Sequence, residues 1–244
     1  GLIGQETPLA ILPGGTANVL SLELGIPPNL TQAAKLACGI NSRPRKIDAG
    51  EVNGHHFLLR VGIGFEASLV EKADRGMKDR FGYFAYVWSA MQSIRQPPKA
   101  RYHMVLDGKE VSAEGITCGI ANSGNLGQAG IKLGTAVDVA DGLLDILLIE
   151  QASLQAVFDL FSNLLGIREA PIESDAVMFD SFNSKLQQLV RHWQAREITV
   201  NVIPTQTIQY DGEVLNCPDG QIHCKVLPQA LTVLVPSAKR AVAL

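Results

Sequence analysis

Leu9-Ala10-Ile11-Leu12-Pro13-Gly14-Gly15-Thr16-Ala17-Asn18-Val19-Leu20 is the stretch on which the fold turns. Leu9 to Leu12 are apolar and predict a short buried strand, which Pro13, Gly14 and Gly15 then break. Thr16 stands where a helix N-cap belongs, ahead of Val19, Leu20, Leu22 and Leu24. A strand, a glycine turn and a helix start make an anion cradle, because glycine admits close backbone approach and the first helical N–H groups point at the ligand. Any α/β protein has such turns, so this stretch alone is better read as a tight strand-to-helix connection with an ordinary threonine cap.

Working outward, residues 1–40 read as strand, helix, turn, helix. Thr31 caps the second helix, Ala33, Ala34, Leu36 and Ala37 pack it, and Gly39 ends it. One strand cannot make a whole doubly wound domain. The composition changes at the polar link Asn41 to Lys46, and from Ile47 the texture is β. Asn53-Gly54 and Asp107-Gly108 are two-residue hairpin turns. Ile116 to Ala121, Leu143 to Glu150 and the alternating Ile198, Val200 and Val202 are further strands, and Ile222 to Leu227 reads as another. Helical spacing recurs at Phe84, Val87, Trp88 and Met91, again at Leu154, Val157, Phe158, Phe161 and Leu165, and Ser174 to Ala195 reads as an additional helix. The fold class is therefore α/β plus all-β: a partial α/β domain over 1–44, then an antiparallel β-sandwich with helical inserts over 45–244.

Composition narrows the function. The 244 residues are 46% hydrophobic, enough for a sizeable core. The mean hydropathy is +0.13. No run approaches the roughly 18 uninterrupted apolar residues of a membrane span. A net charge of −3 argues against a general nucleic-acid binder. Lys72, Arg75, Lys78 and Arg80 are the one candidate basic cluster for an anionic surface, and a solvated helix face explains them as well. The cysteines at 38, 118, 217 and 224 form no CxxC pair. Cys38 and Cys118 sit among apolar residues, as buried thiols of a reducing cytoplasm do. Cys217, His223 and Cys224 fit no common zinc spacing.

PGGTANVL, residues 13–20, resembles the GGTxN loop of the diacylglycerol kinase catalytic superfamily, in particular its bacterial lipid kinase branch, itself similar to sphingosine kinases. Further segments match in the family's order: Ile47 to Gly54, Val61 to Ala67, the Asn- and Gly-rich turn Asn122 to Gly130, Asp141 to Asp145, Asp211 to Glu213, and the closing strand Leu227 to Pro236. Two departures stand out. The family's GGDGT loop, its main phosphate cradle, is absent from these residues, so the chain reads as N-terminally truncated. Val19 also occupies a position where the family often has an acid.

The resemblance implies ATP-dependent phosphorylation of a lipid hydroxyl, of diacylglycerol or a related lipid, with ATP and Mg²⁺ as cofactors. Phosphoryl transfer needs phosphates held in line, a divalent cation and a base beside the hydroxyl. Gly14, Gly15, Thr16 and Asn18 are the expected nucleotide-binding residues. By resemblance Asp138, Asp141 and the Leu143 carbonyl are the expected metal ligands, oxygen donors of the kind Mg²⁺ takes; on the residues alone a self-capping turn is the better reading. Glu213 is the expected catalytic base and Asp211 the second candidate, read as two carboxylates on one side of an extended chain. Phe81, Tyr83, Phe84 and Trp88 line an acyl cleft by resemblance, and pack as ordinary core by periodicity. The expected partners are ATP and a lipid, with peripheral membrane contact, a homodimer as one assembly and no nucleic acid. The expected location is cytoplasmic. Rival readings are a non-catalytic lipid-binding module and an NAD kinase-like enzyme.

Overall fold

The computed structural model describes residues 1–15, 18–64, 99–124, 137–150 and 190–237. Its frame is two six-stranded sheets packed face to face. The strands are β1 (Ser42–Val52), β2 (His55–Phe57), β3 (Arg60–Gly64), β4 (Ala100–Leu106), β5 (Lys109–Gly115), β6 (Thr117–Ala121), β7 (Leu144–Ile149), β8 (Val190–Ala195), β9 (Glu197–Ile203), β10 (Ile208–Tyr210), β11 (Glu213–Leu215) and β12 (Gln221–Pro236). One sheet runs β2-β1-β12-β9-β4-β5 and the other β11-β10-β3-β6-β7-β8. Every neighbouring pair is antiparallel.

Alternation places the sandwich core. In β4, Tyr102, Met104 and Leu106 face inward while Arg101, His103 and Val105 face out. They meet Ile63, Ile120, Ile146, Leu148, Ile198 and Val200 between the sheets. Burial inside this core holds the Tyr102 hydroxyl above its ordinary pKa and pushes the Cys118 thiol up to about 12.

Two helices, α1 (Val19–Glu23) and α2 (Leu30–Ala37), precede the sandwich. Leu24, Ile26 and Leu36 pack on Ile47, Leu231, Val233 and Val235, forming a second apolar cluster on the other face of β1 and β12. Extended backbone at Leu9 joins β12 through a parallel bridge to Val233. Leu9 N donates to Thr232 O at 2.8 Å, and Leu234 N donates to Leu9 O at 2.9 Å.

Several expectations need correction. Leu9 to Leu12 is not a buried strand: only Leu9 is bridged and Leu12 is 54% exposed, because β12 supplies a partner on one side alone. α2 is capped by Asn29, not Thr31; the Asn29 side chain accepts from Gln32 N at 3.1 Å. Cys38 is exposed, since it is the C-cap of that helix. Residues 190–195, expected as the end of a helix, are β8, paired from Ile149↔Val190 to Leu144↔Ala195. There, backbone pairing with β7 and burial of Ala195 override local helix propensity. The basic cluster 72–80, both expected helical stripes, the aromatic set 81–88 and most of the helix expected over 174–195 lie outside the described residues.

Candidate active site

The glycine turn closes on itself. Gly15 N donates to Asn18 Oδ1 at 2.9 Å, and Asn18 Nδ2 donates back to Gly15 O at 2.7 Å. Asn18, at φ 45°, is the N-cap of α1 and gives the helix no side-chain cap, because its amide is spent on the loop. The cap is therefore Asn18 rather than Thr16, which lies outside the described residues together with Ala17. The Gly15 N–H is engaged by Asn18, so Gly15 shapes the loop through its own backbone. Gly14 and Gly15 are both exposed.

Asp211 and Gly212 form the turn of the β10–β11 hairpin, with φ of 44° and 93°, and Tyr210 faces Glu213 across it. Both positive φ values suit a two-residue hairpin turn. The two acids are thus not neighbours on one side of an extended chain, and they meet different surroundings. The Asp211 carboxylate accepts from Leu58 N at 2.7 Å, Leu59 N at 2.9 Å and Arg60 N at 3.0 Å. Asp211 N donates in turn to Arg60 O. Glu213 is exposed at the start of β11, and no hydrogen bond or ion pair engages its carboxylate among the described residues.

The turn 138–143 collects negative charge. Asp138 Oδ1 accepts from Ala140 N at 3.1 Å and pairs with Arg45 at 3.2 Å. Asp141 Oδ1 accepts from Leu143 N at 2.9 Å. Partial desolvation of the exposed Asp141, more than its backbone hydrogen bond offsets, holds its carboxyl above the usual carboxylate range, and Asp145, Asp138 and Asp48 push it the same way. Asp145 is buried; its Oδ1 meets His192 Nε2 at 2.6 Å while its Oδ2 has no partner among the described residues. A buried orphan oxygen and a crowded carboxyl group fit a cation. Among the described residues no three acidic, His or Cys side chains converge on a point. A cation here would be held as Mg²⁺ commonly is, by one or two carboxylates, a carbonyl and water.

Two buried residues tie these parts together, and neither was among the expected site residues. Asp48, fully buried at a register shift in β1, accepts from Gly142 N and from Gln229 N, each at 2.7 Å. Asn122 Nδ2 donates to Asp48 O at 3.1 Å and to Leu58 O at 3.0 Å, while its buried Oδ1 has no partner among the described residues. The acidic turn and the Asp211 hairpin are thereby tethered to one side-chain amide. The sequence signal for Asp48 was local: an acid flanked by the apolar Ile47 and Ala49, where the polar start of β1 gives way to its buried part.

Residues 1–52 match the family model of the diacylglycerol kinase catalytic domain, and residues 60–179 match that of the YegS C-terminal NAD kinase beta sandwich-like domain. An uncharacterized protein of Synechocystis is 31% identical over 240 residues, covering 96% of this chain and 51% of that protein. A Staphylococcus aureus protein named "Putative lipid kinase" is 28% identical over 231 residues, covering 94% of this chain and 69% of its own. A crystal structure described as a "putative diacylglycerol kinase from Bacillus anthracis" superposes with a TM-score of 0.70 at 26% identity, over 93% of this chain and 68% of that one. The chain thus spans about half the length of the Synechocystis relative and about two thirds of the others. Both family models, the staphylococcal relative and the solved structure agree that the chain is similar to the diacylglycerol kinase catalytic superfamily.

Proposed function

We propose that the protein containing this chain is a lipid kinase that transfers the γ-phosphoryl group of ATP to a lipid hydroxyl, that of diacylglycerol or a related lipid. The observation that carries the reading is the division of labour in the 211–213 hairpin. Three backbone N–H groups hold Asp211, and Glu213 stands exposed at the start of β11 with its carboxylate unengaged by the described residues. A carboxylate so placed can take the proton of an incoming hydroxyl. The hydroxyl oxygen then bonds to the γ-phosphorus, the bond to the bridging oxygen breaks, and ADP leaves with that electron pair.

In this reading Gly14, Thr16 and the turn shaped by Gly15 and Asn18 receive the nucleotide. Asp138, Asp141 and the Leu143 carbonyl would hold Mg²⁺, which offsets charge beside the phosphates when bound. Residues 1–44 are the C-terminal part of the nucleotide domain and 45–244 the sandwich domain, with β12 reaching back to the first. A lipid acceptor brings peripheral membrane contact with it. Among the described residues no helix is long and apolar enough to cross a membrane.

The test is an assay of the whole protein with ATP, Mg²⁺ and diacylglycerol in mixed micelles. Labelled phosphatidic acid is the expected product. Phosphorylation of NAD in preference to lipid, or no transfer to either acceptor, would overturn the reading.

A further inference from the structure

Ser123 follows Asn122 at the end of β6 and is 3% exposed. Its Oγ donates to Glu23 Oε2 at 3.1 Å, reaching from the sandwich to the last residue of α1. Its backbone N donates to Leu59 O at 3.2 Å, and Asn122 N donates to the same oxygen at 2.9 Å. Leu59 lies in the segment whose N–H groups hold Asp211. A continuous set of contacts therefore runs from the Gly15–Asn18 loop through one turn of helix to Glu23, Ser123, Leu59 and Asp211. It ends beside Glu213.

We infer that Glu23 and Ser123 are positioning residues that lock the helix behind the glycine loop to the hairpin carrying Glu213. This inference rests on the kinase reading above. Apolar packing alone cannot supply the lock. Leu20 and Leu24 bury α1 in the second cluster, but apolar contact is non-directional and leaves a one-turn helix free to rotate. A directional bond to the buried Ser123 hydroxyl removes that freedom. The role is geometric, so an acceptor oxygen suffices and the negative charge is dispensable.

The test is a double-mutant cycle in the whole protein, read by steady-state kinetics with ATP and diacylglycerol micelles and by amide hydrogen exchange. Glu23→Ala and Ser123→Ala should each lower kcat by about tenfold or more, since small misplacements of reacting groups cost that much. The double variant should be no worse than either single one, as for two partners in one contact. Glu23→Gln should stay near the parent, because its amide oxygen still accepts the hydroxyl proton. Amides of residues 19–24 should exchange faster in either alanine variant. If Ser123→Ala does not fold, the two substitutions at the half-buried Glu23 carry the test. Additive losses, a Gln variant as damaged as the Ala variant, or unchanged exchange in α1 would overturn the inference. If the parent phosphorylates no lipid, the kinase reading fails and the exchange measurements alone decide whether the lock exists.

Discussion

The two acids on either side of Gly212 meet different neighbours, so different losses are expected of them. Glu213→Gln should reduce kcat by about 10²–10⁴-fold in the whole protein while the KM for ATP stays near the parent, since glutamine cannot take the proton. Asp211→Asn should instead lower thermal stability. Its NH₂ group would face one of the three N–H donors now held at 2.7–3.0 Å, and an orphaned donor costs about 1–3 kcal/mol. An Asp211→Asn protein with unchanged melting and abolished kcat would make Asp211 the base. At Asp141 the sign runs the other way. Its folded pKa is raised, so its favourable contribution is present below the ordinary carboxylate pKa and is lost as pH rises through the folded value. Asp141→Asn should therefore melt at or above the parent's temperature at neutral pH without divalent ions, yet gain less from added Mg²⁺. Equal Mg²⁺-dependent shifts in the two proteins would remove Asp141 from the proposed ligand set.

At the scale of elements, β12 holds the most together. It pairs with β1 and β9, and through Leu9 with the N-terminal segment. Its register against β1 shifts between Ile47↔Leu231 and Ala49↔Leu227, and Asp48 fills that shift by holding Gln229 N, whose residue sits at φ 52°. A strand irregularity thus aims a buried carboxylate at the acidic turn, as bulges near active sites do. The β1–β2 hairpin beside it depends on close packing. A methyl group at Gly50 would fall inside the Phe57 ring. Gly50→Ala should cost about 1–3 kcal/mol through overpacking, read as a lower urea midpoint. Gly119→Ala, whose methyl would meet Val61 O at 4.0 Å, should move the midpoint far less. Equal midpoints for the two variants would contradict the packing argument.

Among the described residues two apolar clusters share β1 and β12, one between the sheets and one under the helices. This sharing makes the glycine loop and the sandwich one mechanical unit rather than beads on a linker. The chain holds no GGDGT loop and spans 69% of the staphylococcal relative. The 244 residues by themselves should therefore transfer little phosphate compared with the whole protein, because positioning supplies much of phosphoryl-transfer catalysis. Turnover of the isolated chain equal to that of the whole protein, in one micelle assay, would contradict this.

Local chemistry settled a good part of this protein in advance. Asn53-Gly54 and Asp107-Gly108 adopt the positive φ values their turn type demands, and Ile198, Val200 and Val202 alternate into the core as written. These depend only on residues within a few positions of one another. Partner identity does not. That Asp211 would cap the backbone of residues 58–60, that Asp48 would bridge Gly142 and Gln229, and that residues 190–195 would join β7 as a strand are all contacts made across long stretches of chain. A buried carboxylate takes whichever donors the packed sheets bring to it, since leaving it unpaired is costly. Only the assembled sandwich decides which donors those are.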